Sequence, residues 1–419
     1  MTEPRHSTAA AGGAPSGPDV VTDEVDVVSL PTVRQNVFDP PPELTALRAE
    51  APVRRLRYPD GHLGWLVTGH RAARAVLADP RFSARSELKR VPVARPGSDP
   101  FYGRPALPGW LVDMDPPDHT RIRRLLTGEF TARRMKQLVP RIERVVDERL
   151  SHLARQAQPA DLVEAFALPV PSLVICELLG VPTAAREDFQ HQSTLLFRLD
   201  VSADQATEAM DWLDGFLREL VRHRRARPGD DLLSRLVADG SMTEEEVAGT
   251  GVLLLTAGHE TTAGSIGLGT FALLCHPEQL AALRADPTLT DNAVEELLRY
   301  LTIFQFGVPR TPLEDVELAG RLLRAGESVT VSLSAANRDP EAFAEPDSLR
   351  LDRRTSAHLA FGHGIHQCIG QNLARAEMRV AFPALFRHFP ELRLAVPLDA
   401  VPLGHDMGFY GAHRLPVAW

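Results

Sequence analysis

Phe361-Gly362-His363-Gly364-Ile365-His366-Gln367-Cys368-Ile369-Gly370 is a glycine-bearing loop that carries one cysteine to the start of a helical pattern, Gln371-Asn372-Leu373-Ala374-Arg375-Ala376-Glu377-Met378. A thiol at a helix N-terminus faces unpaired backbone N–H groups and the positive end of the helix dipole. That setting favours thiolate over thiol. A thiolate held by backbone donors ligates a metal through one strong bond, and haem iron accepts such an axial ligand.

The rest of the chain leaves room for a centre of this kind. It has 419 residues, 44% hydrophobic and 24% charged, which suits a globular protein with a large core. A net charge of −9 argues against a dedicated nucleic-acid binder. Besides Cys368 there are Cys176 and Cys275, both in apolar runs that read as small buried hydrophobes. No disulfide framework is implied, so a reducing cytoplasm fits. Residues 1–28 are rich in Ala, Gly, Ser, Thr, Pro and acids and read as a disordered tail with neither a secretory signal nor a membrane anchor. Residues 29–419 then form a single domain.

The pattern along that domain is mainly α with a small β part. Val53–Tyr58 and Leu63–Val67 flank Pro59-Asp60-Gly61-His62, a hairpin signal. His70–Ala78 reads as a short helix. Residues 84–110, with several Pro and Gly plus Phe101, Tyr102 and Trp110, read as a long substrate lid. Helices are predicted over Asp118–Leu126, Thr131–Gln156, Pro169–Leu179, Ala184–Arg198, Ala203–Arg225, Asp231–Ala238 and Asp291–Leu301. The longest runs from Ser241, with Glu244 completing a capping box, to Cys275. Asp315–Leu318 and Ser328–Ser334 suggest small strands, and Phe409–Trp419 reads as loop and strand.

The middle of the long helix carries Ala257-Gly258-His259-Glu260-Thr261-Thr262. Gly, His and two Thr are poor choices for a buried helix interior, and Glu260 is costly to bury without a partner. Hydroxyls that capture backbone carbonyls bend a helix locally, leaving room for a small ligand. An acid beside an alcohol can then relay protons inwards. The alternative is a helix whose polar face meets solvent, but Leu253-Leu254-Leu255 before it and Ile266–Leu274 after it argue for burial. Glu296 and Arg299 are opposite charges at i and i+3, which alone describes many surface pairs. His119 and Arg123, four apart at the start of the helix after Pro116-Pro117, would grip an anion or simply face solvent.

Taken in order, these segments resemble the cytochrome P450 monooxygenases of soluble bacterial, actinomycete-like type, over roughly residues 30–419. Phe361, Gly362, Gly364, His366, Cys368 and Gly370 match the haem-binding signature of that family, with Ile369 where leucine is common. Ala257–Thr262 matches its oxygen-activation segment, Glu296 and Arg299 its buried ion pair, and Arg353 its third, locking arginine. Ala336-Asn337-Arg338-Asp339-Pro340 and His358-Leu359-Ala360-Phe361 match intervening landmarks.

The resemblance implies a P450 fold with haem b between the long central helix and the cysteine-loop helix. It implies Cys368 as proximal thiolate and metal ligand. It implies His119, Arg123, Arg310 and His358 at the propionates, and Glu260 and Thr261 in proton delivery during dioxygen activation. Ala257 and Gly258 would let the helix approach the haem face. Glu296, Arg299 and Arg353 would hold the scaffold. Pocket walls would come from residues 84–110, the 180–225 helices, Leu253, Thr256, Phe306, Val308, Phe409 and Tyr410. They are mainly apolar, which suits a large hydrophobic substrate such as a macrolide-like polyketide undergoing hydroxylation or epoxidation.

The chain has no flavin-type glycine motif and no cysteine cluster, so a ferredoxin and its NAD(P)H-dependent reductase would supply electrons, docking near Arg121, Arg124, Arg133, Arg134 and Lys136. The expected enzyme is a cytoplasmic monomer. Three rivals stand beside it. One is a zinc site built from His363, His366 and Cys368, which lacks an obvious fourth ligand. Another is a haem-thiolate protein that binds without oxygenating. The third is a peroxide-driven peroxygenase of the same fold. The Glu260-Thr261 pair argues against the last two.

Overall fold

In the computed structural model the longest element is a helix from Glu244 to Cys275, nearly every residue of which is buried between Val247 and Thr256. A helix that is apolar all round belongs inside a core, and this one crosses the molecule. Its capping box lies two residues beyond the expected Ser241–Glu244. Thr243 accepts from the Glu246 N–H, while the Glu246 carboxylate accepts from the Thr243 N–H. The structure describes residues 27–95, 102–354 and 357–419. All but the last two residues of the expected tail, and part of the expected lid, lie outside the described residues.

Thirteen helices frame the described chain. They are α1 Pro42–Glu50, α2 His70–Ala78, α3 Asp118–Thr127, α4 Ala132–Leu153, α5 Pro169–Leu179, α6 Arg186–Leu195, α7 Ala203–Ala226, α8 Leu232–Asp239, the long α9, α10 Pro277–Ala285, α11 Thr290–Leu301, α12 Leu333–Ala336 and α13 Gln371–His388. The strands are short: β1 Val53–Arg57, β2 Leu63–Val67, β3 Phe82–Ser83, β4 Ala160–Asp161, β5 Val308–Pro312, β6 Val316–Leu318, β7 Arg321–Leu323, β8 Val329–Val331, β9 Arg393–Leu394 and β10 Pro416–Ala418. They form one sheet ordered β1-β2-β8-β5-β3 and two smaller ones, β4-β10-β9 and β6-β7. The β1–β2 hairpin pairs Val53 with Val67, as the sequence pattern implies. The strand expected over Ser328–Ser334 stops at Val331, because Ser332 turns to cap α12 by accepting from the Ala335 N–H.

The main core joins α3–α5, α7, α9, α11 and α13, and a second apolar cluster fills the space between the five-stranded sheet and α2. The functional cavity lies where α9 faces the loop before α13. No helix among the described residues is long and apolar enough to cross a membrane.

Candidate active site

The loop from Phe361 to Gly370 is shaped by two left-handed glycines, Gly362 (φ +70°) and Gly364 (φ +75°). A Cβ on Gly364 would lie 2.2 Å from the Leu77 carbonyl oxygen, so only glycine lets the loop press against α2. The Cys368 N–H donates to the Phe361 carbonyl at 2.9 Å. The cysteine is solvent-accessible and lines a cavity. That cavity lies between α9, α11 and α13, and its lining is almost wholly apolar. Burial pushes the Cys368 thiol above its ordinary pKa. The Gly370 N–H, Arg123, Arg375 and the Gln371 N–H pull the other way without prevailing. Backbone donors alone therefore do not make the thiolate expected from the sequence; a bound metal cation would.

Around the cysteine loop four cationic or imidazole side chains from three elements form one rim. His119 and Arg123 come from α3, Arg310 from β5, and His366 from the cysteine loop. The His119 and His366 rings lie 4.2 Å apart by centroid. Both ring nitrogens of His119 and Nδ1 of His366 are buried without a hydrogen-bond partner. Burial, then Arg310 and His119, hold His366 neutral with its pKa pushed down to about 2. Arg310 is 5% exposed and is lowered to about 10 by burial, against the pull of Asp113 and Asp115. Arg123 donates to the Gln367 carbonyl at 2.6 Å. Lys89, which the sequence reading passed over, is buried beside this group in an ion pair with Asp113. Unpartnered buried donors beside buried cations are the reverse of a settled core; they suit an anionic ligand.

His358 is not part of this rim. Its Nε2 faces Glu295 Oε2 at 2.9 Å, and Arg375 grips the same carboxylate at 2.6 and 2.9 Å. Burial opposes ionisation of Glu295, but the hydrogen bonds from His358 and Arg375 outweigh it and hold its pKa at about 2. The place expected for His358 is taken by His366, two residues before the cysteine.

Above the cavity, α9 presents Leu253, Ala257, Gly258 and Thr261. The Thr261 hydroxyl donates to the Ala257 carbonyl at 2.8 Å, and Ser265 repeats the pattern one turn on. Glu260 turns away from the cavity towards α6. Its Oε1 accepts from Thr194 at 2.5 Å and lies 3.5 Å from His259 Nε2. Burial works against its charge, yet His259 and Thr194 together bring its pKa below the usual carboxylate value. Gly258 lines the cavity, but the place of its missing Cβ lies 3.1 Å from Ile175, so its smallness serves the packing of α5 on α9. Thr256 is buried with its hydroxyl donated to its own helix at Val252 and Leu253, and does not reach the cavity.

Glu296 and Arg299 form a fully buried two-point pair at 2.8 and 2.8 Å. Arg299 also donates to the carbonyls of Asn337 and Pro346, and Arg353 reaches Glu296 at 3.0 Å. One carboxylate thus ties α11 to the segment between α12 and the cysteine loop.

A model of the family described as cytochrome P450 matches residues 190–396. Cytochrome P450 105C1 from a Streptomyces species is 53% identical over 94% of this chain and 98% of its own length. The chain belongs to the cytochrome P450 family. Pentalenic acid synthase of Streptomyces avermitilis is 46% identical over 94% of the chain and 97% of that relative. The crystal structure of CYP105P1 in complex with filipin I superposes with a TM-score of 0.88 at 46% identity, covering 94% of this chain and 99% of that one. The protein is accordingly a P450 monooxygenase of bacterial, actinomycete type, with haem iron as its cofactor, redox partners and a hydrophobic substrate.

The residues of this P450 fit the group. Cys368 lines the cavity, and the orphaned nitrogens of His119 and His366 beside Arg123 and Arg310 suit the carboxylates that the group carries. The substrate side departs further from the sequence reading. Phe409 lines the cavity, but Phe306 and Val308 pack into the two β-side clusters, and Phe304 lines it instead. Thr302, with φ +30°, breaks α11, and Gly307, with φ +75°, turns the chain again. The alternation from Phe304 through Phe306 to Val308 is therefore not that of one strand. Tyr410 is fully buried, its ring under the Arg34 guanidinium at 3.8 Å, and does not face substrate. None of the described residues of 84–110 or of 180–225 lines this cavity. Pro108 and Gly109 pack on α9 so tightly that a Cβ on Gly249 would lie 2.0 Å from the Pro108 carbonyl oxygen.

Proposed function

We propose that this P450 is a haem b enzyme that inserts one oxygen atom from O2 into a hydrophobic secondary metabolite, by hydroxylation or epoxidation, with a macrolide-like polyketide as the substrate class. The observation that carries the reading is one apolar cavity lined by Cys368 and Thr261, with His119, Arg123, Arg310 and His366 gathered around the loop that carries the cysteine. Haem, when bound, supplies the redox-active iron and the site at which dioxygen reacts. Cys368 would hold the iron, and His119, Arg123, Arg310 and His366 would neutralise the two propionates. Thr261 presents a hydroxyl at the cavity wall, while Glu260 sits ionised on the α6 side of the same helix. The pair can pass a proton inwards only if the Glu260 carboxylate exchanges Thr194 for the cavity side. The filipin I complex of a solved relative supports a bulky polyketide ligand.

Electrons come in this reading from a ferredoxin and its NAD(P)H-dependent reductase. Among the described residues, Arg121 is engaged by Glu246 and Arg134 by Glu129, while Arg124, Arg133 and Lys136 are exposed without an ion pair and suit an acidic partner. The enzyme works as a cytoplasmic monomer whose single domain spans 29–419. The Glu260-Thr261 pair favours dioxygen over a peroxide-driven reaction.

The test is a Thr261→Ala variant of the holoenzyme supplied with ferredoxin, its reductase and a hydrophobic metabolite that shifts the haem spectrum. Electrons should then appear largely as hydrogen peroxide or water; product formation still tightly coupled to NAD(P)H use would count against the relay.

A further inference from the structure

The cavity wall at Phe409 belongs to the segment Leu403–Ala412, whose ends bridge to each other. This segment is held from two sides. On one, the Gln305 side-chain amide donates to the carbonyls of Gly404 (2.9 Å) and Met407 (2.6 Å), and the Tyr410 N–H donates to the Ile303 carbonyl at 2.7 Å. On the other, the Gly408 N–H donates to the Phe197 carbonyl at 2.8 Å, and the Leu199 N–H donates to the Asp406 carbonyl at 2.7 Å. Phe409 sits between, its ring 4.9 Å from Phe197 and 4.9 Å from Phe304 by centroid. Phe197 belongs to the connection between α6 and α7, and does not itself line the cavity.

We infer that Gln305 is the positioning residue that sets the substrate wall of this P450, by clamping Leu403–Ala412 so that Phe409 is held between Phe304 and the α6–α7 connection. Gln305 is buried at 8% exposure and lies outside the cavity lining, so it acts only through Phe409. Two carbonyl oxygens demand two N–H donors, which fixes the orientation of the amide. A carboxylate of the same shape would turn oxygen towards oxygen and leave two carbonyls without a donor, a costly state in a buried place. The hydrogen bonds at Gly408 and Leu199 add a consequence: the α6–α7 connection cannot lift without either breaking them or taking Phe409 with it. Wall position and access from that side are therefore one setting.

The experiment is azole binding to the ferric holoenzyme, followed by the haem spectrum. Imidazole and 4-phenylimidazole share the iron-ligating nitrogen, but only the second has a ring that must fit the wall. Gln305→Glu should weaken 4-phenylimidazole about tenfold while leaving imidazole within about twofold, a ratio that general unfolding does not produce. Gln305→Leu should move the same ratio in the same direction. An unchanged ratio in both variants overturns the proposal. If neither variant yields holoprotein, hydrogen exchange on the unmodified holoenzyme decides: with 4-phenylimidazole bound, the Leu199, Gly408 and Tyr410 amides should gain protection together. Protection at Tyr410 without the other two would sink the coupling.

Discussion

On the cysteine side of the cavity, charged side chains reach across the fold: Arg299 joins Glu296 to carbonyls 38 and 47 residues away, and Arg375 joins Glu295 from 80 residues away. On the substrate side, Phe409 is held by backbone carbonyls, aromatic edges and one amide. The first arrangement is expensive to disturb, because removing one partner strands a buried charge. The second rests on neutral contacts, so a change there strands no charge and acts through the wall's position. A fixed side suits the chemistry that stays constant across a family, and an adjustable side suits a choice of substrate.

The comparison breaks most sharply at Cys368. Cys368→His should abolish monooxygenation and remove the red-shifted Soret band from the carbon monoxide complex of the reduced protein. Retention of that band would remove the cysteine from the iron. Arg299→Ala should come next. It removes the two-point guanidinium partner of the fully buried Glu296, at a cost of about 3–5 kcal/mol in urea unfolding, and it should lower the yield of holoprotein.

A narrower test is pH. The folded state holds Glu295 at about pKa 2 against an ordinary 4.5. The unfolded chain thus binds its proton first as pH falls, and the contribution, about 3 kcal/mol, is present above pH 4.5 and lost towards pH 2. Glu295→Gln should flatten that part of the stability profile; an unaltered slope would mean that other carboxylates set it. The smallest change belongs to the substrate side. The Tyr410 hydroxyl is buried without a hydrogen-bond partner, so Tyr410→Phe should leave azole affinity unchanged and stability the same or higher by about 1 kcal/mol. A large loss of affinity would place Tyr410 against the ligand after all.

The two sides were also unequally legible in the sequence. Cys368 is spelled by local spacing, a loop before a helix, whereas the i, i+3 spacing of Glu296 and Arg299 needed the resemblance to mark the pair as buried. The sites of His119 and Arg310 needed the resemblance, because no spacing in the chain predicts that α3 and β5 meet. His358 was assigned to the propionates by the resemblance, and nothing local revealed that Glu295 would claim it. On the substrate side the misplacements share one cause. Facing depends on backbone turns at Thr302 and Gly307, and a shift of two residues exchanges Phe304 for Phe306. Thr256 shows the same limit within a helix, where a hydroxyl satisfies its own backbone as readily as it lines a cavity.

Arg34 lies on a stretch that precedes every helix and strand among the described residues, yet its guanidinium covers the ring of Tyr410, next in sequence to the residue that walls the cavity. The front end of the polypeptide is therefore part of the chamber's masonry. A shortened version that drops this stretch removes the cation that covers the Tyr410 ring, one residue from the Phe409 wall.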